Sequence, residues 1–446
     1  MPKETRIEVH LKAKSIRRCQ NPVFKGRLSG WSLSLIDFNF KFNDDQPASD
    51  VIVGTYDLSQ MPASGKYYVE IIVLLCEGYG QGSRAINLKS VCLEDVEDSN
   101  NRVTAGNGAA SIDIFVDAEF SLSKQRRNNA LHWRGQWVHK NLTKGDNFGY
   151  PNDTFPLQAL STRYQPEACN GIMYPEYEGK DICEPFMSRK RFEAYTFHWN
   201  NGADTVLNEP GLGLLLSSDG GNTDAIGSPP PSKSQNTHVC FMGVSHSRVL
   251  QEQCEKLLNE TRKEAGLPEG TPLGLQCSWT ILPYPKNLAL GFNTSVLDEQ
   301  GCTHVVVGLF QWYFSFKQAM SSEVPAVTFS EWESQMITGI RKLEKVTKNS
   351  NSPLRKVVLR SAHPNGLKFQ NNQCPPQDVR SPVNAAGATA ILREIVDGFT
   401  SAVSMVDTSF IIDPVWDAAE DFSHYTHEEG EMEAKFLLTE ILRKNV

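Results

Sequence analysis

The sequence predicts an α/β protein: a parallel sheet covered by helices in the C-terminal half, preceded by a β-sandwich of Ig-like type. Three observations predict it. From Thr237 onward, short apolar runs alternate with longer amphipathic segments, the β-α-β-α rhythm of a parallel sheet with helices on both faces. Over residues 1 to about 120, short alternating runs are separated by Gly, Pro, Asn and Asp clusters, with no long helical period between them. The chain of 446 residues is also too long for one ordinary core, so two or three domains are expected. The partition is 1–120 for the sandwich, 121–235 for a lead-in segment packing on the α/β domain and ending in a flexible loop, and 236–446 for the α/β domain itself.

Within the first part, Arg6 to Leu11, Lys66 to Leu75 and Ser111 to Val116 alternate apolar and polar residues as half-buried strands do. The middle part carries many aromatics, Cys169 and Cys183, and few clear periods; Asp219 to Asn236, DGGNTDAIGSPPPSKSQN, is a linker by composition. In the third part Thr237 to Met242 reads as a strand. Ser247 to Ala265 reads as a helix with Leu250, Cys254, Leu257 and Leu258 on one face, stopped by Gly266. His304 to Leu309 is a buried-type strand. Ser330 with Glu333 forms a capping box for a helix striped by Trp332, Met336, Ile340 and Leu343. A strand over Lys356 to Ser361, a helix over Ala385 to Val403, a strand over Ser404 to Ile412 and a last amphipathic helix from about Glu429 to Arg443 complete the reading.

Open α/β sheets place their active sites beyond the carboxyl ends of the strands. That rule selects Gly243, Val244, Ser245 and His246 after the first strand, then Gly308, Gln311 and Trp312 after the next. Arg360, His363, Asn365 and Gly366 follow the third strand, and Asp413 the last, with Asp421 and His424 shortly beyond it. A serine nucleophile needs a base, an acid that holds the base in one tautomer, and N–H donors for the oxyanion. Asp421 and His424, three residues apart, can face one way in a turn, and a strand-to-helix turn at Ser245 would aim its own backbone N–H at the oxyanion. His424 and His427 at the same spacing could instead hold a metal.

Composition narrows the alternatives. A formal net charge of −8 argues against nucleic acid or an anionic membrane as the main partner. The basic cluster Lys124, Arg126 and Arg127 reads as a solvated loop. The longest apolar run, Tyr67 to Cys76, contains Glu70 and is about half of what a transmembrane helix needs. MPKETRIEVHLK has no apolar core, so no signal peptide is visible in this chain. The ten cysteines include no C-x-x-C pair, which argues against zinc ribbons; Cys169 and Cys183 could pair, while Cys240 and Cys302 read as small buried hydrophobes. Sequons at Asn141, Asn152, Asn259 and Asn293 are no more than chance supplies.

The ordered blocks resemble the SGNH (GDSL-like) hydrolase superfamily. More narrowly they resemble its PC-esterase branch, which includes the trichome birefringence-like proteins and the neurexophilin and PC-esterase domain family. Phe241-Met-Gly-Val-Ser-His-Ser-Arg248 is similar to F-x-G-D-S-x-S-R, His304-Val-Val-Val-Gly-Leu-Phe-Gln-Trp312 to V-V-N-x-G-x-W, and Trp416 to Tyr425 to the closing D-x-x-H block. Gly135-Gln-Trp-Val138 and Tyr195 to Trp199 are similar to the G-x-W-V and Y-x-W-x-W elements upstream. The resemblance implies a three-layer α/β/α domain behind a neurexophilin-like sandwich. It implies an O-acetylesterase or O-acetyltransferase acting on a carbohydrate or acylated glycan, with Ser245 as nucleophile, His424 as base and Asp421 as its acid. No metal or organic cofactor is implied, beyond an acetyl donor for a transferase, and the compartment implied is the secretory pathway or the cell exterior. Gly243, Gln311, Trp312, Arg360, His363 and Asn365 are the candidates for oxyanion and substrate contacts. Two departures stand out. Val244 occupies the place of an acid, and Gly308 that of an asparagine whose side-chain N–H serves the oxyanion in the superfamily. The second reading is therefore a catalytically impaired relative that binds glycan or protein.

Overall fold

The computed structural model describes residues 6–12, 23–30, 32–38, 51–57, 65–75, 110–114, 135–140, 195–199, 237–314, 329–364, 382–415 and 424–443. Asp421, Asn365, Gly366, Trp416, Cys169, Cys183, the basic cluster at Lys124 and the linker over 219–236 lie outside them.

The strands of the N-terminal part are antiparallel. They are β1 (Arg6–Lys12), β2 (Val23–Ser29), β3 (Ser32–Phe38), β4 (Val51–Asp57), β5 (Gly65–Leu75), β6 (Ala110–Ile114), β7 (Gly135–His139) and β8 (Tyr195–Trp199). They join in the order β1-β4-β3-β2-β5-β6, with β7 on β3 and β8 on β7. The G-x-W-V and aromatic blocks are thus the last two strands of this network.

The C-terminal part follows the predicted rhythm. Its elements are β9 (Thr237–Gly243), α1 (Ser245–Glu264), β10 (Leu275–Ile281), a π-turn (Asn287–Gly291), α2 (Ser295–Glu299), β11 (His304–Gly308), α3 (Phe329–Thr347), β12 (Lys356–Arg360), α4 (Pro382–Asp397), β13 (Val403–Val406), α5 (Ser409–Ile412), a 3-10 turn (Asp413–Val415) and α6 (Glu428–Arg443). The five strands are parallel in the order β10-β9-β11-β12-β13. Side chains alternate between the two faces of this sheet. Val239, Phe241, Val306, Val358 and Val406 pack with α1 and α6. Cys240, Met242, Val305, Val307, Val357 and Leu359 pack with α3 and α4. Among the described residues no helix is long and apolar enough to cross a membrane.

The two parts are joined by hydrogen bonds as well as by apolar packing. The Trp137 indole donates to the Ile411 carbonyl at 2.8 Å, Arg27 Nη1 donates to the Pro414 carbonyl at 3.0 Å, and the Thr196 hydroxyl donates to Glu428 Oε1 at 2.6 Å. Leu33, Trp137, Tyr195 and Phe197 share one core with α6.

Several sequence expectations need correction. The helix expected from Ser247 starts at Ser245; Val244 is its N-cap residue, is buried, and having no polar side-chain atom offers no side-chain bond. Its stop is as expected: Gly266 N–H bonds the Lys263 carbonyl and Leu267 N–H the Arg262 carbonyl, a Schellman ending. Ser330 lies inside α3, which already begins by Phe329. α4 ends at Asp397 rather than Val403, closed by turns in which Gly398 N–H bonds Ile395 and Phe399 N–H bonds Val396. The strand expected over 404–412 stops at Val406. The Asp407 carboxylate accepts the Ser409 N–H at 3.0 Å and its hydroxyl at 2.6 Å, and this local capture turns the chain into α5. Cys240 and Cys302 are bonded to each other, and Cys254 is bonded to Cys277. Cys302 lies two residues ahead of β11, the hydrogen-bonded neighbour of β9, which brings its Cα to 5.8 Å from that of Cys240, inside the disulfide range.

Candidate active site

The strand order has one reversal, between β9 and β11, and in open α/β sheets the crevice at such a switch point is where ligands bind. Gly243 ends β9 and is paired in register with Gly308, which ends β11. Gly243 is needed for this close approach. At Gly243, with φ +155°, a Cβ would collide with Ser247 Oγ and stand 2.6 Å from the Gly308 carbonyl oxygen. The Gly243 carbonyl accepts the Leu282 N–H at 3.0 Å and the Trp279 indole at 3.1 Å, so β10 and the loop after it are tied to this point.

Ser245 opens α1 directly beyond this pair and is half-buried. Val244 lends its carbonyl to the N–H groups of Ser247 and Arg248, which holds the tight strand-to-helix turn. His246 turns inward and is buried between two other histidines. Its ring centroid lies 5.1 Å from that of His424 and 5.6 Å from that of His363. The segment after β9 and the segment ahead of α6 therefore meet through the rings of His246 and His424 at the carboxyl end of β9.

Beneath them lies a buried charged cluster. Glu433 of α6 uses one oxygen, Oε1, to accept His363 Nε2–H at 2.7 Å, the Thr408 hydroxyl at 2.8 Å and Arg360 Nη1–H at 3.3 Å. Arg360, His363, Thr408 and Glu433 are each at most 3% exposed. Burial pushes the Glu433 carboxyl up, but His363, Arg360 and Thr408 together overcome it and hold the group at about 2. Burial also dominates at His363 and, with the Arg360 charge, lowers its titration; Glu433 and Asp413 pull the other way without prevailing. The ion pair is thus Arg360 with Glu433, and His363 joins it as a neutral ring donating through Nε2.

The remaining candidates separate. Gln311 is buried and donates Nε2–H to the His363 carbonyl at 2.7 Å, which binds it to the loop after β12. Trp312 is 41% exposed, with its ring 6.4 Å from that of Tyr284, so the two form an aromatic surface on the loops after β11 and β10. His427, the other member of the possible metal pair, is half-buried, and no cluster of three metal-ligating side chains occurs among the described residues.

Sequence reasoning missed Glu433, Thr408 and the inward role of His246. A signal existed for Glu433. With Glu429 it falls on the same stripe of α6 as the buried Met432, Phe436 and Leu437, and a carboxylate on an apolar stripe calls for a buried cation.

No family model matches the chain, and no curated protein does. Among solved structures the chain is similar to an acetyl xylan esterase, at 15% identity and TM-score 0.30, over 47% of this chain and 99% of that one. It is similar to a GDSL-like lipase from Bacteroides thetaiotaomicron, at 15% identity and TM-score 0.31, over 49% and 93%. It is also similar to a carbohydrate esterase family 3 from Talaromyces cellulolyticus, at 12% identity and TM-score 0.30, over 47% and 97%. Likenesses at these scores lend no weight to a function, and the geometry of the site is what bears on it.

Proposed function

We propose that the protein is a serine O-acyl esterase or acyltransferase acting on O-acetylated carbohydrate. Ser245 is the nucleophile, His424 the base, and Asp421 the acid that orients it. One observation carries this reading: Ser245 starts a helix at the switch point of a parallel sheet, and the ring of His424 packs on His246, the next residue after the serine. Ser245 Oγ attacks the acyl carbon as His424 takes its proton. The tetrahedral intermediate then expels the sugar alcohol, which recovers the proton, and water or a second sugar hydroxyl resolves the acyl-enzyme. This chemistry needs no metal. Trp312 and Tyr284 supply an aromatic face suited to the apolar side of a pyranose ring.

The PC-esterase branch, the division at 1–120, 121–235 and 236–446, and the sandwich packing of the first part belong to the same proposal. Antiparallel pairing in β1 to β8 supports the sandwich. The two disulfides support an oxidising compartment, which fits the secretory pathway or the cell exterior.

The test is labelling with a fluorophosphonate probe, comparing wild type with Ser245→Ala and His424→Ala. Rapid labelling of wild type alone is the expected result. Equal, slow labelling of all three, beside an active serine esterase control, overturns the enzyme reading and leaves the glycan-binding one. That second reading is favoured by the bare Gly308, which offers no side-chain amide to an oxyanion.

A further inference from the structure

The Arg360 guanidinium reaches from β12 across the end of β11 and rests over Gly308. A Cβ on Gly308 would stand 3.0 Å from Arg360 Nη2, 3.1 Å from Arg360 Nε and 3.2 Å from Ser247 Oγ. The guanidinium therefore fills the space a side chain at 308 would take, on the Gly243 side of the sheet edge, one strand from the Ser245 turn. Its far nitrogen, Nη1, is turned to Glu433 and His363. Its Nε–H is buried and has no hydrogen-bond partner among the described residues. A buried donor left without an acceptor costs stability unless something rewards it.

We propose that Arg360 is the oxyanion donor of this site, with Nε–H and Nη2–H directed at the oxygen that gains charge when Ser245 attacks. The inference rests on Ser245 being the nucleophile. As the Ser245 Oγ–carbon bond forms, the carbonyl π pair moves onto oxygen and the serine proton passes to His424. The oxygen then accepts from the guanidinium, and the pair returns to carbon when the alcohol leaves. Three features fit the task. The cation is desolvated, so its field is not screened by water. It is fixed by Glu433 from behind, so no reorganisation accompanies charge development. And it lies at the β9–β11 crevice, in the space that Gly308 leaves to it by having no side chain.

The experiment compares kcat and KM for p-nitrophenyl acetate in four proteins: wild type, Arg360→Lys, Gly308→Ala, and the double variant Arg360→Met with Glu433→Met, which removes both charges together. Thermal unfolding checks each fold. The expected result is a loss of about 100-fold or more in kcat for the double variant with KM within about threefold, and a smaller loss for Arg360→Lys, whose ammonium keeps charge but not the fork. A folded double variant with kcat within about threefold of wild type overturns the proposal. Should the double variant fail to fold, Arg360→Lys decides: a kcat within about threefold of wild type overturns the proposal, while Gly308→Ala, whose methyl group would stand 3.0 Å from Nη2 and only nudge the guanidinium, should show a smaller loss. A wild type that neither labels nor hydrolyses overturns the nucleophile and this inference together, whereas active wild type beside equally active variants overturns this inference alone.

Discussion

Trp137 donates its indole N–H to the carbonyl of Ile411 at 2.8 Å, across 274 residues of chain. The bond ties β7 of the antiparallel network to the short helix after β13, and Phe197 packs edge-on against the same indole at 5.2 Å. Trp137→Phe keeps an aromatic ring but leaves a buried carbonyl unpaired. It should lower unfolding free energy by about 1–3 kcal/mol, read as a lower urea midpoint. An unchanged midpoint would show that the two parts do not depend on this bond.

The Arg360–Glu433 pair predicts strong non-additivity. Glu433→Gln removes the counter-charge of a buried guanidinium and should cost roughly 3–5 kcal/mol. Arg360→Met combined with Glu433→Met should cost clearly less than Arg360→Met and Glu433→Met added, with a coupling of about 1 kcal/mol or more in a double-mutant cycle. Additive losses would mean that the two side chains do not share a buried environment.

Acid should destabilise the fold in two stages. His363 titrates below its ordinary 6.5 in the native state, so the unfolded chain binds the extra proton first and stability falls as pH drops below about 6.5. Glu433 and Glu344 are each held at about 2 against an ordinary 4.5. Glu344 is held there by the hydroxyl and N–H of Thr400 before β13 and then by Lys348. Their stabilisation is complete above about 4.5 and is lost as pH falls towards about 2. Denaturation in urea from about pH 7 to about pH 3 checks both stages. Glu344→Gln should flatten the lower one, and a curve of unchanged slope in that variant would refute the assignment.

Breaking the Cys254–Cys277 bond frees a loop 23 residues apart in sequence and should cost roughly 2–4 kcal/mol. The measurement is the melting temperature of Cys254→Ser with Cys277→Ser. A melting temperature equal to that of wild type would mean that packing of α1 on β10 suffices alone.

Trp312→Ala should raise KM for acetylated pyranosides about tenfold while leaving kcat for p-nitrophenyl acetate near that of wild type, because the ring offers an exposed binding face whereas the charge cluster is buried. A loss confined to kcat would remove Trp312 from substrate binding.

The parts of the fold legible in the sequence are those where one force dominates. β9, β11 and β12 are buried on both faces, so they read as continuous apolar runs, and the Trp332, Met336, Ile340 and Leu343 stripe of α3 is wholly buried. β10 alternates Leu275, Cys277, Trp279 and Ile281 with polar residues, but it is an edge strand with mostly half-exposed side chains, and its apolar run is correspondingly broken. The turn at Asp407 was illegible because a side-chain capture of two Ser409 hydrogens overrides the apolar run on either side. The strand-to-helix turn that carries Ser245 was legible, because an apolar run gives way there to an amphipathic segment. Glu433 was not, since the groups that make it buried and paired, Arg360, His363 and Thr408, come from two other segments, ahead of α6 in the chain.

The two disulfides share no residue, yet together they make the serine-bearing region topologically closed. Cys240 binds β9 to the chain just ahead of β11, while Cys254 binds α1 to β10. A protease that cuts once between Cys277 and Cys302, through the loop and short helix over 282–301, leaves two fragments still held by the Cys240–Cys302 bond. Such a nicked molecule would migrate as one chain without reductant and as two with it, and the switch-point crevice would outlast the break in the backbone.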